Sequence, residues 1–77
     1  MTPDRAQIEF RIACFETFME CPDGYAKAYA AAGTSLTDIE AIRVQSRYIL
    51  NNMDCWHGSL AADCRKIFKR LAREGQH

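Results

Sequence analysis

The chain carries no surplus of charge. Ten lysines and arginines balance ten aspartates and glutamates, and the pI is near 6.7. That balance argues against a surface built throughout to hold phosphates, because non-specific nucleic-acid affinity rests on neutralising backbone charge. No run approaches the roughly 18 apolar residues of a membrane span, and MTPDRAQIEF has no basic segment leading into an apolar one. The expectation is a soluble, cytoplasmic protein without membrane contact. There is no glycine-rich phosphate loop and no serine-centred catalytic motif. Internal repeats, low-complexity segments and dividing linkers are absent too, so residues 1–77 read as one domain.

The four cysteines lack the tight Cys-x-x-Cys pairing of structural zinc. Cys55, His57 and Cys64, joined by Cys14, Cys21 or His77, supply ligand types but not the spacing. Cys55 and His57 could act as nucleophile and base, yet no third residue is evident to orient the imidazole. In a reducing compartment all four are expected to be thiols, Cys14 and Cys64 in the core and Cys21 and Cys55 in loops. Neither an enzymatic activity nor a cofactor or metal is expected.

What the chain has is helical patterning. Hydrophobic residues make up 48% and charged residues 26%, a composition that folds. Thr2-Pro3-Asp4 reads as a helix start, and the first helix is expected over about 3–20. Ile8, Ile12, Phe15 and Met19 recur at spacings of four, three and four, which predicts the buried stripe. Phe10 and Cys14 fall off that stripe. Cys21-Pro22-Asp23-Gly24 ends the helix, with Asp23 capping a short alanine-rich second one over about 24–32 that Gly33 closes in the left-handed conformation. Thr37 and Glu40 read as a capping box for a third helix reaching about Asn52. Its buried stripe is Ile39, Ile42, Ser46, Ile49, Leu50 and Met53. Ser59 is the expected cap of a fourth helix, about 60–74, burying Leu60, Cys64, Ile67, Phe68 and Leu71. Arg65, Lys66, Lys69, Arg70 and Arg73 occupy its opposite face. The fold expected is a compact all-α domain of four helices, the middle two arranged like a helix-turn-helix.

Two surfaces follow. Phe10, Val44 and Tyr48 lie off the expected core, and Trp56, the sole tryptophan, sits in a connector, where it could plug the bundle or anchor an interface. These four are the candidate protein-binding residues. The alternative is nucleic acid, read by Arg43, Arg47 and Asn51 of the third helix and supported by Arg65, Lys66, Lys69, Arg70 and Arg73. The first 40 residues hold Asp4, Glu9, Glu16, Glu20, Asp23, Asp38 and Glu40 against Arg5, Arg11 and Lys27, an asymmetry that also permits a homodimer.

Thr2-Pro3, Phe10, the run Ala28-Tyr29 through Ala32-Gly33-Thr34-Ser35, and Ser46-Arg47-Tyr48-Ile49-Leu50-Asn51 resemble the amino-terminal helix-turn-helix region of phage terminase small subunits. Members of that family bind DNA and assemble into rings, which the resemblance implies as the alternative function. With the small size and neutral charge, the leading expectation is a non-catalytic module of phage or mobile-element type. It would regulate or inhibit a larger protein or protein–nucleic acid complex by contact, as anti-CRISPR proteins and antiactivators do.

Overall fold

Pro22 is where the first helical segment has to stop, since the residue before a proline is pushed out of the α region. The protein, in a computed structural model that describes residues 5–73, turns there and at two later points. The described residues form α1 (Arg5–Glu20), α2 (Gly24–Gly33), α3 (Ile39–Leu50) and α4 (Ser59–Arg73), with no strand among them. The all-α, four-helix expectation is met. The Thr2–Asp4 helix start, Glu74 and His77 lie outside the described residues.

Asp23 caps α2 as expected: its carboxylate accepts hydrogen bonds from the Tyr25 and Ala26 amides at 2.8 and 3.0 Å. The starts of α3 and α4 are each shifted by one residue. Asp38, not Thr37, caps α3, accepting from the Ala41 amide at 3.0 Å. A carboxylate is the better partner for the positive helix end, and the shift puts Glu40 at the second helical position, where it pairs with Arg43 instead of closing a capping box. Ser59 is the first residue of α4, and the Gly58 carbonyl accepts from the Ala62 amide at 3.0 Å. Gly58 holds φ at 110°, which a side chain would strain.

Helices α1 and α4 each contact α2 or α3 on one side and one another on the other, while α1 and α3 barely touch. The core between them is built from small residues facing large ones. Phe10, Ala13, Cys14 and Thr17 of α1 meet Ala26, Ala30 and Gly33 of α2 and Cys64, Phe68 and Leu71 of α4, all buried. The Phe10 and Phe68 rings meet edge to face at 6.0 Å. Ile42, Ile49, Met53 and Trp56 complete it from α3 and the following connector.

This arrangement reverses the expected orientation of α1. Phe10 and Cys14 are fully buried, whereas Ile8, Ile12, Phe15 and Met19 are exposed. The reason is the slimness of α2. Gly33 is helical and has no left-handed backbone; a Cβ there would stand 2.9 Å from Phe10 Cζ, 3.2 Å from Phe10 Cε2 and 3.0 Å from Cys14 Sγ. An alanine and glycine surface admits a face bearing Ala13, Cys14, Thr17 and one ring, and the interior has to be filled at near-crystalline density. The stripe of four bulky side chains is excluded by volume. Thr17 tolerates burial because its hydroxyl donates to the Ala13 carbonyl at 2.7 Å.

Candidate protein-contact face

Helical periodicity puts Ile8, Ile12, Phe15 and Met19 within a narrow stripe, and this stripe points almost directly away from the buried Phe10, Ala13, Cys14 and Thr17. With Phe18 on its edge, the five side chains keep between 45% and 62% of their surface exposed. Together they present on the order of 500 Å² of contiguous apolar area, at the upper end of what a soluble monomer leaves uncovered. Arg11 is exposed along the edge that carries Phe18. Glu16 lies half-buried along the other, beside Glu9, which pairs with Arg70 of α4 and with Arg5 one turn away. The face is an apolar strip between a basic edge and an acidic edge.

The residues expected to bind protein are placed differently. Phe10 is in the core, which corrects its assignment as a contact residue, and the exposed apolar side chains lie on the opposite side of the same helix. Trp56 is 7% exposed and belongs to the core cluster, where its size is better buried than displayed. Val44 is half-buried. Tyr48 remains half-exposed, its ring stacked on Tyr29 at 5.5 Å, and Gln45 nearby donates to the Tyr29 carbonyl at 2.8 Å. The side of α3 expected to face a partner is thus partly spent on holding α2.

The expected basic surface is also reduced. Arg65 is half-buried, donating to the Met53 carbonyl at 2.8 Å and to the Trp56 carbonyl, so it ties down the connector between α3 and α4. This corrects its assignment to the outer face of α4: the turn leaves carbonyls that need donors, and a guanidinium one turn into α4 reaches them. Arg70 pairs with Glu9 across to α1. Arg43 is largely covered and paired with Glu40, which holds the Glu40 carboxyl below its ordinary range through that hydrogen bond and charge. Arg47, Asn51, Lys66, Lys69 and Arg73 are exposed.

All four cysteines are free thiols, and Cys14 and Cys64 are core residues as expected. Cys21 is buried as well, although it lies in the turn after α1, because its amide continues the helical bonding to the Thr17 carbonyl at 2.9 Å and draws the side chain inward. Burial pushes the Cys14 thiol up to about 12 and the Cys64 thiol, with Glu16 near it, up to about 11. Burial raises Cys21 too. Thiols held protonated are inert as nucleophiles and as ligands. Cys55 and His57 are exposed in the connector, and Cys55 borders an open, mostly apolar depression formed with Pro22, Asp23, Gly24, Tyr25 and Ala28. Among the described residues no three histidine, cysteine or acidic side chains converge as a metal site, and no helix is long and apolar enough to cross a membrane.

The spacing of Ile8, Ile12, Phe15 and Met19 carried the signal for the exposed apolar strip, but read as core. Only the volume of the facing helix distinguishes the two uses. Comparison with known protein families, characterised proteins and solved structures finds no match for this chain.

Proposed function

We propose that this protein is a small non-catalytic binding module that regulates or inhibits a larger macromolecular partner by protein–protein contact, as the small regulators and inhibitors of phages and mobile elements do. The observation that carries the reading is the uncovered apolar strip of α1, the largest concentration of exposed hydrophobic residues on a domain whose neutral charge gives it no general affinity for polyanions. Interfaces are enriched in such aromatic and methionine side chains, whereas scattered single exposures need no explanation.

The test compares affinity capture from the native host by the wild-type chain, by Ile12→Glu/Phe15→Glu and by Lys66→Glu/Lys69→Glu. The proposal expects a protein retained by the wild type and by the α4 variant but lost with the α1 variant, while circular dichroism shows all three folded. Equal retention by the α1 variant would sink it. DNA binding through Arg47, Asn51 and the exposed lysines of α4 is the competing reading. Its mark would be duplex binding at low salt, falling steeply with salt concentration and abolished in the α4 variant.

A further inference from the structure

We infer that the strip of α1 is covered by a second copy of this chain, with the two α1 helices parallel and related by a two-fold axis. The inference rests on the reading of α1 as a contact face: a second copy covers the strip when the larger partner does not, so the two compete for it.

Three observations lead there. The spacing of four, three and four in Ile8, Ile12, Phe15 and Met19 is that of alternating d and a positions of a heptad, the pattern by which two helices interlock knobs into holes. Most amphipathic surface helices show one apolar face; α1 has two diametrically opposed, one filled by α2 and α4 and one empty, and a helix apolar on both sides belongs in an interior. In the same heptad Arg11 takes a g position and Glu16 the following e position. In a parallel pair those two positions, five residues apart, meet across the seam. Each copy's Arg11 then lies against Glu16 of the other, forming two equivalent ion pairs with residues the strip already has on its opposite edges. An antiparallel pair sets Glu16 beside Glu9 of the other copy and Arg11 beside Phe18, losing both. Only the parallel orientation sets Arg11 against Glu16.

The area suits the proposal. On the order of 500 Å² from each copy gives about 1,000 Å² in all, the lower bound for a specific interface, which fits an association that depends on concentration. A dimer also relieves the marginal stability of a domain this small.

Sedimentation equilibrium of the purified full chain, from about 5 µM to 1 mM, tests it. The wild type is expected to rise from the 8.8 kDa of the monomer toward twice that mass, and Phe15→Glu to stay monomeric with its helical content intact. Arg11→Glu and Glu16→Arg should each weaken association about tenfold or more, and the double exchange Arg11→Glu/Glu16→Arg should restore it. Orientation is read separately with Ile8→Cys in a Cys55→Ser background, since Cys55 is the exposed thiol. Parallel helices bring position 8 of one copy against position 8 of the other, so mild oxidation should yield a covalent dimer. A monomeric mass at every concentration overturns the inference while the capture experiment still judges the α1 contact itself. Dimers that survive Phe15→Glu, fail to recover with the charge exchange, or do not cross-link at position 8 overturn it as well.

Discussion

Gly33→Ala is expected to destabilise the fold, against the usual sign of that exchange inside a helix. Alanine is favoured over glycine by about 1 kcal/mol in a helix interior. Here the new methyl group would meet the Phe10 ring at 2.9 Å and the Cys14 sulfur at 3.0 Å, and that ring is fixed in turn by Phe68. Overpacking a filled core costs roughly 1–3 kcal/mol, and Gly33 is the last residue of α2, where alanine gains less than in a helix interior, so a net loss of up to about 2 kcal/mol is expected in a urea titration. A higher unfolding midpoint for Gly33→Ala would show that α1 and α2 are not pressed together there. The buried thiols add a pH dependence of known sign. Free thiols ionise near 9, whereas folding holds Cys14 protonated to about 12 and Cys64 to about 11. The unfolded chain therefore gives up these protons first as pH rises. The stability the two thiols contribute is intact below pH 9 and declines through the interval up to their folded values. Urea midpoints measured at pH 8, 9.5 and 10.5 should fall, and fall less steeply in Cys14→Ala/Cys64→Ala; identical slopes in the two proteins would contradict their burial as neutral groups.

The helices themselves were legible from local chemistry. Pro22, the Asp23 cap, the polar stretch before α3 and the break at Gly58 are short-range signals, and each boundary between Glu20 and Ser59 fell within about two residues of its expected place. The stripes of α3 and α4 were legible for the most part: Ile42, Ser46, Ile49 and Met53, and Cys64, Phe68 and Leu71, are buried as expected, Leu50, Leu60 and Ile67 are half-buried, and Ile39, in the first turn of α3, is exposed. What periodicity could not decide was α1, which offers two candidate faces. Spacing marked Ile8, Ile12, Phe15 and Met19. The choice is made by volume, and volume is a property of the neighbours: α2 presents Ala26, Ala30 and Gly33, which accept Ala13, Cys14 and Thr17 at close range. Arg65 shows the same limit in a polar form. Its place in a run of basic residues suggested a solvated face, but the carbonyls of Met53 and Trp56 that it serves exist only once the connector has folded back.

At the scale of the whole molecule, one choice of face has two consequences, a core economical in volume and an apolar strip left on the outside. The same event that buries Phe10 against Gly33 and Phe68 exposes Phe15, so the proposed binding surface and the fold stand or fall together. The most direct measurement is the unfolding free energy of Phe10→Ala and Phe15→Ala, each compared with the wild type in urea at a concentration low enough to keep the chain monomeric. Removing a fully buried ring costs about 3–5 kcal/mol, enough to unfold much of a domain of this size, whereas truncating an exposed one stays within about 0.5 kcal/mol. Phe10→Ala is therefore expected to be severely destabilised or unfolded and Phe15→Ala to match the wild type; the opposite order would mean that the stripe of Ile8, Ile12, Phe15 and Met19 is the core of this protein and not its contact face.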